Sequence, residues 1–298
     1  MNGGIAVAIS TLRRPDALTR CLRSLVEGSR LPSTVAIVDQ SPAGEGADAA
    51  ETFADSLPLV IERQAATGLA RGQNRAVELT NEPAFAVIDD DCVAAPDWLE
   101  TITRVLDSDN GLAGVAGRVL PLGPDTPGLY PVSLRTSTVR RDLERGSLPW
   151  DVGSGNNFAL RREWFDRVGG DDLRLGPGSP GRGAVDIDLF YRILQTGGRM
   201  RYEPDAVVYH ERKPQRDRLS RRVGYGHGMG AACGLWLRAG DRDAGRVLRS
   251  WFGLRVGLLR GELRQGHVRA LPEESIVIGS TLVGLAHGLL HGRAPESH

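Results

Sequence analysis

Residues 84–88 form a short apolar run that leads without a break into three aspartates, Asp89, Asp90 and Asp91. Similar β-branched or apolar runs at 5–9, 35–38 and 59–62 precede it, separated by stretches with helical spacing. Such alternation describes a parallel α/β sheet, because each parallel crossover needs a helix to carry the chain back to the same end. In open sheets of this kind ligands bind beyond the carboxyl ends of the strands, where the backbone has left the ladder. The three carboxylates fall at such an end.

The rest of the chain sets the frame. Pro15 suits a first helical turn, and Leu18, Cys21, Leu22 and Leu25 make the buried stripe of the helix after it. We expect a weaker helix at 47–54, one from Leu69 carrying Ala70, Gln73, Asn74 and Val77, and one at 96–106 with Trp98, Leu99, Ile102, Val105 and Leu106 near one face. Beyond residue 120 the alternation fades into a proline-rich connection. A strand at 157–160, a helix at 163–168, a glycine-rich loop at 176–183, a helix at 185–195 and a strand at 200–209 broken by Pro204 follow. The last ninety or so residues, rich in Arg, Leu and Gly, read as helices. This gives an α/β domain over 1–215 and a helical extension over 216–298, with no internal repeat.

Bulk properties exclude some classes. Thirty-seven basic residues balance thirty-seven acidic ones, so no net field draws the chain to nucleic acid. Three widely spaced cysteines make neither a disulfide framework nor a zinc pattern. The opening MNGGIAVAIS has no signal-peptide character, and the apolar run at 276–290 is interrupted and short for a membrane span. A cytoplasmic protein is expected, with peripheral contact at the inner face of the cell membrane as an open second reading.

Residues i and i+2 of a strand face the same side, so Asp89 and Asp91 can point together while Asp90 faces the other way or into the turn. Carboxylates gathered this way repel unless a cation lies between them, and Mg²⁺ or Mn²⁺ prefers such oxygen ligands and bridges them to phosphates. The plain alternative is a solvated turn capping the helix at Pro96.

The segment IDDDCVAAPDWL resembles the acidic triplet and Pro-Asp-aromatic helix start of the inverting family-two glycosyltransferases of GT-A fold. Further segments agree in order over residues 4–212: STLRRPDALTRCLRSL, with Leu12-Arg13 where the family has Tyr-Asn; VAIVDQS; GLARGQNRAVE; GSGNNFALRREWFDRVGG; VDIDLFYRILQTGG; and YEPDAVVYHE. The resemblance implies a GT-A-type, Rossmann-like mixed sheet flanked by helices, with the helical C-terminal extension added. It implies transfer of a sugar from a nucleotide-diphosphate sugar to an acceptor nucleophile with inversion, assisted by Mg²⁺ or Mn²⁺ at a DxD-type motif. Carried over to this chain, Asp91 is the metal ligand, with His210 as a second. Asp89 and Asp90 meet ribose or outer-shell water, Asp39 reads the nucleobase, and Thr11, Arg14, Arg71 and Asn74 approach the nucleotide. Asp186 is the general base, although Val185 stands where the family has glutamate.

Each residue also has a plainer reading. Asp186 can cap its helix, Asp39 can form a strand-end turn, Thr11 and Arg14 can start a helix, Arg71 can be a surface cation, and His210 can be structural. Asn156 and Asn157 can bind acceptor hydroxyls or shape a tight turn. The loop at 176–183 can be a closing lid or a surface loop. The C-terminal helices can pack or make homo-oligomer contacts, the favoured reading, or rest on a membrane and gather a lipid-linked acceptor. Saccharide and natural-product acceptors stay open too. A dinucleotide-dependent oxidoreductase is disfavoured because ISTLRRPD lacks the glycine fingerprint, and a metal-dependent phosphatase lacks a nucleophilic aspartate after the first strand. A noncatalytic sugar-nucleotide-binding protein remains the principal competitor.

Overall fold

The computed structural model describes residues 4–265 and 271–291. Contacts divide the chain into two units, one running to Asp171 and resuming over Leu189–Lys213, the other comprising Asp172–Asp188 and the chain from Pro214 onward. Each is described on its own.

The first unit is built on a nine-stranded mixed sheet, as expected of the α/β pattern. Its first half follows the sequence closely: β1 (Ala6–Thr11), α1 (Pro15–Val26), β2 (Thr34–Asp39), α2 (Glu45–Glu51), β3 (Leu59–Arg63), α3 (Leu69–Glu78) and β4 (Ala84–Ile88). Then come β5 (Cys92–Ala94), α4 (Trp98–Ser108), β6 (Leu112–Pro121), the short β7 (Leu129–Tyr130) and β8 (Arg141–Leu143). β9 (Asn157–Arg161), α5 (Arg162–Val168), α6 (Val185–Gln195) and β10 (Arg199–His210) complete the elements around this sheet. Strand order is β3-β2-β1-β4-β9-β6-β10-β5, with β8 also on β10. β1 runs parallel to β2 and β4, while β9 is antiparallel to both β4 and β6.

Each face of the sheet has its own core. Leu18, Cys21, Leu22 and Leu25 of α1 join Trp98, Leu99, Ile102, Val105 and Leu106 of α4 on one face. Ala76 and Val77 of α3, Phe165 of α5, and Leu189, Phe190 and Ile193 of α6 pack on the other. Burial on both faces explains why the central strands are apolar throughout instead of alternating.

Two features depart from the expected pattern. β6 was hidden because its glycines do not look like strand residues, yet a Cβ on Gly114 would lie 2.3 Å from the Ala159 carbonyl oxygen and one on Gly117 2.0 Å from that of Ala206. Close backbone approach requires glycine there. Pro204 does not break β10. The pairing with β6 shifts between Glu203 and Val207, so proline sits in a bulge where no ladder amide is needed.

The second unit contains α7 (Arg218–Arg238), α8 (Ala244–Arg264) and α9 (Leu271–His291). Among the described residues no helix is long and apolar enough to cross a membrane. α7 and α9 meet through glycines: a Cβ on Gly230 would lie 2.0 Å from the Thr281 carbonyl oxygen, and one on Gly284 2.0 Å from that of His227. The loop at 176–183 is folded on itself, with the Gly176 amide donating to the Gly183 carbonyl at 3.0 Å. It is also close to α7, since a Cβ on Gly228 would lie 2.6 Å from the Gly183 Cα.

Candidate functional site

The acidic triplet lies at the carboxyl end of β4, but its geometry differs from that expected of a continued strand. β4 stops at Ile88, and the Cys92 amide donates to the Asp89 carbonyl at 3.0 Å, closing a tight turn over Asp89–Cys92. The turn gathers the neighbours Asp90 and Asp91 where an extended strand would gather Asp89 and Asp91. Arg14 Nη1 bridges them, 3.0 Å from Asp90 Oδ1 and 2.9 Å from Asp91 Oδ2. Thr11, the last residue of β1, donates its hydroxyl to Asp90 Oδ2 at 2.7 Å. Asp89 is partly exposed.

Local backbone sets Arg14 in place. Arg13 adopts a left-handed conformation, φ 56°, at the position where the resemblance expects asparagine, the non-glycine residue that best tolerates it. The Arg13 amide donates to Ser41 Oγ at 2.7 Å, and Pro15 then opens α1.

Asp91 is almost fully buried, and its two oxygens have different surroundings. Oδ2 accepts from Arg14 and from Lys213 Nζ, the latter at 2.5 Å, while Lys213 also reaches Glu211 Oε2 at 3.0 Å. Oδ1 has no hydrogen-bond donor among the described residues and faces His210 Nε2 at 3.5 Å. The other ring nitrogen of His210 lies 2.7 Å from the Glu211 carbonyl oxygen. A carbonyl only accepts, so Nδ1 carries a proton, and Nε2 is the ring atom turned toward Asp91. Two ligands of one divalent cation lie roughly 3.0–3.5 Å apart when each is about 2.1 Å from the ion. A carboxylate oxygen with no donor among the described residues, beside an imidazole nitrogen that a metal would hold in place of a proton, therefore fits such a cation.

Cys92 Sγ lies within the same 4.8 Å cluster. Burial, reinforced by the three aspartates, pushes its thiol well above the ordinary range, and a protonated thiol does not suit a hard cation. The two central carboxyls diverge. Burial raises Asp90 above its usual value despite Arg14. Burial would raise Asp91 as well, but His210, Lys213 and Arg14 outweigh it and hold the group below the ordinary carboxylate range.

Other candidate residues fall into distinct roles. Asp39 ends β2 beside Thr11 and is fully buried, its Oδ1 accepting the Ser41 amide and its Oδ2 the Ala47 amide, both at 2.8 Å. Asn74 clasps the backbone of Asp171, donating to its carbonyl at 2.9 Å and accepting its amide at 2.8 Å. Arg71 is exposed in the first turn of α3. Asn157 is a brace: its Nδ2 donates to the Arg118 and Ala206 carbonyls at 2.9 Å each, and its Oδ1 accepts Trp98 Nε1 at 2.8 Å. Asn156 has no such side-chain partners among the described residues.

Asp186 lies in the second unit, in the first turn of α6, partly exposed. The backbone before it is strained, with Arg182 at φ 63° and Ala184 at φ 62°. Val185, where the family has glutamate, is buried against Gly176. Asp188 is an anchor, accepting Trp236 Nε1 at 2.7 Å. Lys213 and Glu211 were not expected from the sequence. Only their closeness to His210 in the chain could have suggested them.

The model of the family described as "Glycosyl transferase family 2" matches residues 6–169, more than half of the chain. The chain belongs to glycosyl transferase family 2. Among relatives of this family-2 glycosyltransferase, the pre-mycofactocin glycosyltransferase of Mycobacterium tuberculosis is 28% identical over 68% of this chain and 43% of its own length. The chain thus spans less than half the length of that relative. The glucosyl-dolichyl phosphate glucuronosyltransferase of Haloferax volcanii is 25% identical over 71% of this chain and 69% of its own. Among solved structures, residues 1–349 of S. aureus TarS in complex with UDP-GlcNAc superpose with a TM-score of 0.67 at 13% identity, over 95% of this chain and 81% of that one. The mannosyltransferase PcManGT of Pyrobaculum calidifontis, in complex with GDP-Man and Mn²⁺, superposes with a TM-score of 0.63 at 16% identity, over 98% and 88% of the two chains. These likenesses establish the GT-A fold.

Proposed function

We propose that this glycosyltransferase moves a sugar from a nucleoside-diphosphate sugar to an acceptor hydroxyl, with inversion at the anomeric carbon. The observation that carries this reading is the orphaned Asp91 Oδ1 facing His210 Nε2 at the carboxyl edge of a GT-A sheet. Asp91 and His210 would hold Mg²⁺ or Mn²⁺, which when bound offsets the charge of the departing diphosphate. Mn²⁺ accompanies GDP-Man in the PcManGT complex, and UDP-GlcNAc occupies TarS.

The chain's own residues supply the rest. Arg14 and Lys213 place fixed positive charge beside the carboxylates, where a diphosphate would meet it without solvent reorganisation. Thr11 holds Asp90, and Asp89 and Asp39 stand as partners of the nucleoside end together with Arg71. Asp186 is the base that takes the acceptor's proton as the new bond forms. Acceptors bearing a saccharide or a lipid-linked phosphate suit this chemistry, and the Haloferax relative is named for a dolichyl phosphate substrate.

The test is a panel of nucleotide sugars assayed for donor hydrolysis and transfer, with Mn²⁺, Mg²⁺ or chelator. Turnover that chelation abolishes and added metal restores is expected, with an inverted product. Asp186→Asn should keep nucleotide binding and lose at least about a hundredfold in transfer. Metal-independent turnover, retention of configuration or an active Asp186→Asn protein each removes the corresponding part of the reading.

A further inference from the structure

Asn156 and Asn157 are adjacent, alike and both buried, yet the fold uses only one of them. Asn157 spends its whole amide on Trp98, Arg118 and Ala206. Asn156 is 2% exposed, and among the described residues neither its Oδ1 nor its Nδ2 has a hydrogen-bond partner. Exchanging the two atoms, which are interchangeable in assignment, changes nothing, because both are unpaired. Leaving a buried amide wholly unsatisfied is costly, and such a group in a native protein calls for an explanation.

Its place in the sheet supplies one. Asn157 pairs with Ile88 across the β4–β9 ladder, so Asn156 lies one step further, at the level where β4 gives way to Asp89. Across the same edge Asp39 pairs with Thr11, and Thr11 is bonded to Asp90. Asp39 and Asn156 thus stand on opposite sides of the acidic turn, three strand spacings or roughly 14 Å apart. If the nucleoside lies toward Asp39 and the diphosphate at Asp91, the far side is left for the sugar.

The chemistry of the amide narrows the ligand further. A phosphate or carboxylate would only accept, leaving Oδ1 unpaired, and a cation would leave Nδ2 unpaired. A hydroxyl both donates and accepts. We infer that Asn156 reads a hydroxyl of the transferred sugar and so sets donor specificity, an inference that rests on the nucleotide-sugar reading above. A polar group built to pair with a hydroxyl discriminates strongly against a donor lacking it, since the group is then buried unpaired.

The experiment compares the parent with Asn156→Ala and Asn156→Ser in three measurements. Calorimetric binding of UDP and GDP without sugar should change by less than about twofold. With the donor identified in the screen, kcat/KM of Asn156→Ala should fall roughly ten- to a hundredfold, and that loss should disappear for the one donor lacking the hydroxyl that Asn156 reads. The thermal midpoint without ligand should stay level or rise, because removing an unpaired amide relieves the free protein. A midpoint lower by several degrees, or failure of either variant to fold, assigns Asn156 a structural role and overturns the inference. So does an undiminished kcat/KM, or an equal loss with every deoxygenated donor. A parent that turns over no nucleotide sugar sinks the underlying reading instead.

Discussion

At the turn after β4, buried carboxylates are stacked beside an arginine, a lysine and a histidine, whereas along the meeting of α7 and α9 the buried surface is backbone brought close by glycine. The first arrangement is expensive. Charges are taken from water, one oxygen of Asp91 stays unpaired, and adjacent carboxyls are pushed in opposite directions. The second sets ion pairs at one end, where Arg218 and Arg222 of α7 meet Glu273 and Glu274 of α9, and depends on shape along its glycines. Polar strain is retained where a ligand can relieve it, and close packing is used where nothing need bind. Substitutions in the two regions should therefore have separable signatures.

The largest effect is expected at the turn. Asp91→Asn keeps the shape and removes the charge that faces His210, so transfer should fall about a thousandfold, equivalent to about 4 kcal/mol of barrier. The thermal midpoint should move by no more than a few degrees, because Arg14 is partly exposed and can be hydrated, and Lys213 keeps Glu211 as a partner. Steady-state kinetics and calorimetry on one preparation decide the matter. Loss of folding together with activity would mean that the turn is a structural ion cluster and erase the contrast.

The seam should behave in reverse. Gly230→Leu introduces a Cβ that would lie 2.0 Å from the Thr281 carbonyl oxygen, backbone that cannot swing aside, and should destabilise by about 3 kcal/mol. Gly257 on α8 is the internal control, since a Cβ there meets nothing within 4 Å. Gly257→Ala should add up to about 1 kcal/mol through helix propensity alone. Chemical denaturation of the two variants would show opposite signs. Equal losses would mean that the glycines serve something other than close approach.

The same division explains what the sequence disclosed. Strands and helices up to α4 could be read from periodicity, because parallel strands buried on both faces are continuously apolar and their helices carry clear stripes. Thr11, Arg14, Asp90, Asp91 and His210, singled out from separate motifs, lie together in the structure. Long-range geometry was not legible. The i, i+2 rule assumed a strand where a turn had begun, so it paired the wrong aspartates. Asn74 matched its motif but is committed to Asp171. Gly114 and Gly117 masked β6 because their reason is a neighbour's carbonyl far along the chain. Lys213 belongs to no motif and is brought to Asp91 only by the end of β10.

The smallest expected effect separates the two regions by pH. His227 and His287, with ring centroids 5.5 Å apart at the α7–α9 seam, are both held below the ordinary imidazole value. Burial is the first cause for each. Mutual proximity and Arg182 add to it at His227, where a hydrogen bond to the Pro180 backbone opposes it, and His291 and Arg182 add to it at His287. A histidine whose folded value is depressed binds fewer protons than the unfolded chain once the pH drops below about 6.5. Its contribution is therefore complete above that pH and is lost as the pH falls toward the folded value. Replacing His227 isolates the seam's share of that loss from any titration at the acidic turn. Thermal midpoints measured at pH 7.5 and 5.5 should show a modest fall for the parent and a smaller one for His227→Gln, which cannot take up the proton. Equal falls in both proteins would remove His227 from the pH sensitivity of the seam.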